Sequence, residues 1–407
     1  MKRKSGMILL CVILCLLMAC TQSDHEDTAV FDQGMDEIHV ASNISAVDAF
    51  ADQGYYHMGL HSVSYIDWQH QDDKKETVYS EDNDEALFYI MYHQGKLYVL
   101  SIGTDPYDAS NIWRVKRWDA DHKKKECVAE ERGNGMVYSM AAVGDMLYYT
   151  FTTTEGEITV DGITYGYGKA QLWSVDLTTG NKKLVLELEG SEKHFNNSLT
   201  ITEGDYQNSS TLLVRYCYSV QDESNTRQDL TDFYDLDLQT QKMKKNESLQ
   251  LSCSLDMAYW KQDTLYYFAG NGNQTDYNYM NMETGEVKTV LTTDMFGLFL
   301  PEYISFAIAG DEPKHCLYYY EDGKLLISKS TSAPNIIAAG GNYAALDETD
   351  YSKIAGEEED PGTYTMVEND KYVQENYREY AGENPDMLKY YGKDGNTKTI
   401  LNIRTNE

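Results

Sequence analysis

Apolar and polar residues alternate along most of this chain, and short polar turns break the alternation at regular intervals. Residues 172–188 read LWSVDLTTGNKKLVLEL: a period-two strand, a turn of Asp and Thr-Gly, and a return strand that opens with Lys. The phrase returns as FYDLDLQTQKMKK from Phe233, YNYMNMETGEVKTVL from Tyr277, WRVKRWDADHKKKECV from Trp113 and MLKYYGKDGNTKTIL from Met387. Each copy predicts one hairpin, which cannot bury its apolar face alone and must stack on others.

A second phrase precedes the first. GKLYVLS from Gly95, GDMLYYTF from Gly144, QDTLYYFAG from Gln262 and HCLYYYEDG from His315 each place an apolar-aromatic strand just after a turn, with one more strand upstream, such as MVYSMAAV, LDMAYW or YISFAIA. That makes four strands per unit. The units cover residues 45–80, 85–130, 135–189, 197–247, 253–292, 300–338 and 341–402, and a spacing of roughly 40 to 60 residues suits the blades of a β-propeller. The expected fold is therefore all-β, a propeller of seven four-stranded blades, with six or eight left open by the incomplete copies. The chain holds 34 Tyr and only 6 Pro, as strand-rich structure favours. A turn or two of helix is allowed at residues 49–53 and 371–380 alone. Two stretches do not repeat: residues 152–170, between the second and third strands of the third unit, and residues 347–385 in the last. Insertions in a repeat protein project from one face, often the binding one.

LWSVDLTTGNKKLV resembles the blade signature of TolB-type and related bacterial propellers, and is most similar to the Tyr-rich propeller domains of Gram-positive lipoproteins. The resemblance covers residues 172–188 and 277–291 well and is partial elsewhere, where Gln-Thr-Gln replaces the Thr-Gly turn after Leu238 and YYYEDGKLLIS shortens the sixth unit. It implies a ring of sheets around a central channel, used for recognition or as a scaffold, and no particular reaction.

The N-terminus carries an address. Met1-Lys2-Arg3-Lys4, an apolar run over residues 7–17 and Met18-Ala19 before Cys20 describe a secretory signal too short for a comfortable membrane span. Leu17-Met18-Ala19-Cys20 resembles a lipoprotein lipobox, which implies cleavage before Cys20 and a diacylglycerol on its sulfur. The expected division is a signal peptide over 1–19, a lipidated Cys20 with an acidic, aperiodic tether over 20–37, and a propeller domain over 38–407. Acyl chains bury CH₂ groups at about 0.8 kcal/mol each, enough for stable anchoring when two or more act together. The expected location is the extracytoplasmic face of the cell membrane.

Charge excludes one class of partner. The formal net charge is −32, and losing Lys2, Arg3 and Lys4 with the signal leaves −35; scattered Lys and Arg offer no site for nucleic-acid phosphates. Like charge also holds the body off anionic headgroups.

No catalytic constellation emerges. The chain has no G-x-S-x-G elbow, and His25-Glu26 lacks the second histidine of a zinc-protease helix. His57, His61, His70 and His93 fall loosely together in the first two units, and solvated or satisfied strand histidines are preferred there to a metal site. Acidic loops near Asp82, Asp119 and Asn271 come nearest to calcium ligands without completing the pattern. Among 66 Asp and Glu no glycosidase pair stands out. Cys127, Cys217, Cys253 and Cys316 survive signal removal and read as buried thiols in strands. Trp68, Trp113, Trp118, Trp173 and Trp260, with the pairs Tyr148-Tyr149, Tyr266-Tyr267, Tyr318-Tyr319 and Tyr390-Tyr391, supply stacking platforms if exposed and core if not. The sequence names no catalytic residue, cofactor or metal ligand. It points to a lipid-anchored binding or scaffold module for a glycan, peptide or protein. The alternatives are a surface glycan or peptide hydrolase or lyase with carboxylates over the channel, and a regulator of a membrane sensor or envelope complex.

Overall fold

The computed structural model describes residues 38–42, 48–51, 54–67, 76–81, 85–119, 124–206, 209–221, 226–255, 257–271 and 274–293, and strands alone between 297 and 402. After a three-residue strand, β1 (His39–Ala41), the described strands form seven sheets in chain order, each built on four antiparallel strands. The first holds β2 (Asp48–Ala51), β3 (Gly54–Met58), β4 (Ser62–Asp67) and β5 (Glu76–Ser80); the second holds β6 (Ala86–His93), β7 (Lys96–Thr104), β8 (Asn111–Asp119) and β9 (Lys124–Gly133). In the third, a short β10 (Gly135–Met136) precedes β11 (Met140–Val143) and β12 (Met146–Thr153), the separate hairpin β13 (Gly156–Val160) and β14 (Ile163–Tyr167) follows, and β15 (Lys169–Asp176) and β16 (Lys182–Glu189) complete the sheet. The fourth comprises β17 (Phe195–Ile201), β19 (Thr211–Gln221), β20 (Arg227–Asp237) and β21 (Lys242–Leu251), with β18 (Glu203–Asp205) leaving it to pair elsewhere. The fifth comprises β22 (Ala258–Lys261), β23 (Thr264–Asn271), β24 (Gln274–Asn281) and β25 (Val287–Thr293). The sixth contains β26 (Gly297–Phe299), β27 (Tyr303–Ile308), β28 (Lys314–Glu321) and β29 (Lys324–Thr331), and the last β30 (Asn335–Gly340), β31 (Tyr343–Asp347), β32 (Met387–Gly392) and β33 (Thr397–Asn402). The first five sequence units and sheets coincide to within a few residues, but the sixth and seventh divide elsewhere: residues 335–340, placed mostly in the unit 300–338, form β30, the first strand of the last sheet. One expectation fails: residues 48–51 extend as β2 instead of turning into helix, because Asp48 to Ala51 pair with His57 to Gly54. Residues 371–380 lie outside the described set.

Blades bury both faces. Tyr148 and Tyr149 are each 1% exposed, and adjacent strand residues point to opposite sides. Tyr149 joins Leu147 and Phe151 in a core shared with the first two sheets, whereas Tyr148 joins Leu172, Leu199 and Val214 in the core between the third and fourth. Leu213 and Phe233 use the other side of the fourth sheet to meet Leu255 and Leu265 of the next unit. The fully buried strands therefore read as continuous apolar runs, whereas outer strands such as β16, with its mostly exposed KKLVLELE, mix polar and apolar residues.

All seven sheets share an irregularity that the sequence analysis missed. Between the third and fourth strands the register slips at Val63/Ser64, Val115/Lys116, Leu172/Trp173, Asp232/Tyr234, Tyr277/Asn278, Tyr319/Tyr320 and Leu388/Lys389. In six of them the skipped residue on the fourth strand is Val78, Val128, Val185, Val290, Leu326 or Ile400. A bulge sharpens the right-handed twist, which lets each outer edge rotate away from its inner strand as stacked blades require. Val78, Val128 and Val185 use the displacement to pack against the interblade cores.

The third-to-fourth turns are capped alike. Asp176, Asp237 and Asn281 each accept, through Oδ1, the backbone N–H groups two and three residues ahead, at 2.8–3.0 Å. The residue four ahead adopts the left-handed region, as Gly180 (φ 73°), Gly285 (φ 71°) and, against the usual preference, Gln241 (φ 55°). Gln241 is kept there by its side chain, whose Nε2 donates to Tyr148 OH and Leu238 O.

Candidate binding face and axial strand

Fourth strands such as β9, β16 and β21 are the most exposed of their blades and first strands such as β11 are largely enclosed, so the sheets run from the axis outward. An antiparallel meander then puts the first-to-second and third-to-fourth turns on one face of the ring. The second-to-third links and the blade-to-blade links lie on the other. The capped turns at Asp176, Asp237 and Asn281 thus share a turn face, and the β13–β14 hairpin stands on the opposite, insertion face.

Glycines and one asparagine seat the hairpin. Asn197, 6% exposed, accepts the Gly168 N–H through Oδ1 at 3.1 Å and donates from Nδ2 to Gly168 O at 2.9 Å, where Gly190 N also donates at 2.8 Å. A Cβ on Gly168 would collide with the Thr153 carbonyl, which explains the close approach. Farther out, Arg227 lies with its guanidinium carbon 4.6 Å from the Tyr165 ring centre and donates from Nη1 to Tyr165 OH at 2.9 Å. Its Nε and Nη2 grip Asp229 at 2.7 and 2.9 Å, and Ser219 donates to the same carboxylate at 2.6 Å. Partial burial opposes the guanidinium charge, yet the Asp229 and Tyr165 bonds hold Arg227 above its ordinary range.

Beside this fork, His194 is exposed and meets the Tyr218 ring edge-on at 5.2 Å. Tyr218, Lys245 and Gln250 all donate to Asp232, so that carboxylate is saturated. On the same face the β7–β8 link carries Tyr107, 95% exposed, and the hairpin tip carries Ile163, 56% exposed. Fixed aromatic edges, a bidentate Arg–Asp pair and exposed rings make a surface for hydrogen bonding and stacking. Ser219 donates to Asp229, whose carboxylate Arg227 also holds through two bonds.

The axis is occupied. β1 adds to the inner edge of the third blade, antiparallel to β11, with His39 opposite Ala142 and Ala41 opposite Met140. β18 does the same for the fifth, parallel to β22. Between them Glu203, 1% exposed, accepts from Ser42 N at 2.9 Å and Ser42 Oγ at 2.7 Å. At the other end of β1, His93 donates from Nε2 to Gly144 O at 2.9 Å, which leaves its Nδ1 to accept from His39 Nδ1 at 2.9 Å. Burial, reinforced by the neighbouring His39, pushes His93 down to about 4.

No family model matches the chain. No curated protein matches it either. Solved structures match in fold. A prolyl endopeptidase studied for inter-domain dynamics aligns with a TM-score of 0.50 at 12% identity, over 77% of this chain and 45% of that one. TolB from Acinetobacter baumannii aligns at a TM-score of 0.36 and 12% identity, over 73% of this chain and 65% of its own. The β-propeller domain of the Trilobed protease from Pyrococcus furiosus aligns at 0.41 and 8%, over 69% and 80%. The chain is an all-β protein of the β-propeller fold. At these identities the likeness concerns fold alone, and this chain spans less than half of the endopeptidase.

The propeller scatters most residues that the sequence singled out. His61 bonds Glu85 O at 2.6 Å, His93 sits on the axis, His57 takes a place in β3, and His70 lies outside the described residues. Among the described residues no three His, Cys, Asp or Glu side chains gather as metal ligands. Asp82 lies outside the described set, Asp119 ends β8, and Asn271 ends β23. Cys217 is buried as expected, but Cys127 is exposed because the outer strand β9 turns it outward, and Cys253 follows β21 instead of lying in it. Trp113, Tyr148, Tyr149 and Tyr267 are core, and Trp118, Trp173, Trp260 and Tyr266 are half-buried. Cys20, Trp68 and the side chains of Cys316, Tyr318-Tyr319 and Tyr390-Tyr391 fall outside the description. His39, Ser42, Asn197, Glu203 and Arg227 were missed. Nothing in their local sequence marks them; the expected insertion at residues 152–170 contains Tyr165 and Gly168, which Arg227 and Asn197 meet from the next blade.

Proposed function

We propose that the chain is a lipoprotein held through Cys20 at the outer face of the cell membrane, where its propeller binds a glycan, peptide or protein partner through the insertion face. The observation that carries this reading is the β13–β14 hairpin. It stands outside the blade repeat, is seated by Asn197 and Gly190, and supplies the ring on which Arg227 rests. A blade needs none of these for its own packing.

Two measurements test the two halves. Cys20→Ala moves the protein from the membrane fraction to the soluble one; continued membrane retention rejects the anchor. Surface extracts and glycan arrays presented to the Cys20→Ala protein yield a ligand that is lost when residues 155–167 are replaced by a short Gly-Asn turn. Turnover of the captured ligand would reject the binding reading in favour of an enzyme.

A further inference from the structure

We infer that the anchored protein stands on its turn face, so that the insertion face points away from the membrane and meets its partner on the far side. This rests on the proposed lipid anchor at Cys20, and it narrows the partner to one beyond the body.

The direction follows from strand polarity. First strands such as β11 run from the insertion face to the turn face, and β1 is antiparallel to β11. β1 therefore enters on the turn face and leaves toward the insertion face. Side chains confirm its polarity: His39 at its start bonds His93, which closes β6 at the first turn of the second blade, and His93 bonds Gly144 in the first turn of the third. The other end, at Ser42, is tied to Glu203.

Ile38, which leads into β1, thus lies toward the turn face, close to the axis. The 18 residues between Cys20 and His39 reach about 60 Å when fully extended. An eight-residue blade strand is about 27 Å long, so the axial attachment brings the turn face to the membrane with slack to spare. Inverting the body would add at least a blade height, about 27 Å, to the path from residue 38 to the membrane.

The test uses full-length lipidated protein in phosphatidylglycerol–phosphatidylethanolamine vesicles. A short peptide tag for enzymatic attachment of a fluorophore is inserted between Asp161 and Gly162 at the hairpin tip, or between Thr179 and Gly180 on the turn face. A second turn-face insertion after Gln262 guards against local disruption of the first. With an acceptor dye on the lipids, energy transfer is expected to be at least threefold stronger from both turn-face sites than from the hairpin. Equal or reversed transfer in vesicle-bound protein overturns the orientation and leaves the anchor standing; failure of the wild-type protein to sediment with vesicles overturns both.

Discussion

Glu203 binds the axis together: a carboxylate almost wholly out of water, taking both the backbone and the hydroxyl of Ser42. Removing it strands a buried N–H and O–H, and such groups cost about 1–3 kcal/mol when left unpaired. Glu203→Ala should accordingly lower stability by about 2–3 kcal/mol, read as a lower denaturant midpoint, whereas Ser42→Gly, which keeps the backbone donor, should cost less. His93 of β6, which bonds His39 at the other end of β1, gives the axis its pH response. Its folded value, about 4, lies below the unfolded value of 6.5, so folding favours the neutral ring. That stabilisation is complete above about pH 6.5 and drains away as pH falls toward about 4, by up to about 3 kcal/mol. His93→Gln should flatten the acid limb of stability between those limits. A His93 that titrates near 6.5 by NMR would contradict the burial argument.

The bulge is the element-scale device that turns repeated hairpins into blades. Val185 is the residue that Leu172/Trp173 skips, and it packs into the core between the third and fourth blades. Deleting Val185 leaves every other pair of the ladder in place but removes the bulge, and with it the added local twist that splays the outer edge, as well as a core contact. The deletion should destabilise the protein far more than Val185→Ala, for which loss of about two methylenes' worth of packing predicts about 1–2 kcal/mol. Equal effects of the two changes on the unfolding midpoint would show that the register slip is incidental.

Elements of this size were legible to different degrees, for physical reasons. The strands around LWSVDL and MLYYTF declare themselves by runs of apolar and aromatic residues, and the Asp-Thr-Gly turn by its chemistry. The bulges left a trace that went unread: apolar neighbours such as Leu184-Val185-Leu186 break the period of two where the slip occurs. His39–Ala41 and Glu203–Asp205 left none, because three-residue strands carry no period and their partners, Ala142 and Tyr259, are far along the chain. The candidate site shares that fate. The hairpin that frames it was expected as an insertion, but Arg227 reaches Tyr165 across 62 residues, a pairing only the stacked blades create.

At the scale of the molecule, a ring built from near-identical blades segregates its roles by face. The turn face repeats the same capped turns, and β1 ties the axis beneath it. The insertion face carries what differs between blades: Tyr107, the hairpin, His194 and the Arg227 fork. Function is placed on that difference. The most direct measurement is amide hydrogen exchange of the Cys20→Ala protein with and without a saturating, membrane-free surface extract that binds it. The account predicts slowed exchange over residues 105–110, 156–167, 190–194 and 226–229, with no change over the turns at 176–181, 237–241 and 281–285. Protection confined to those turns would contradict it.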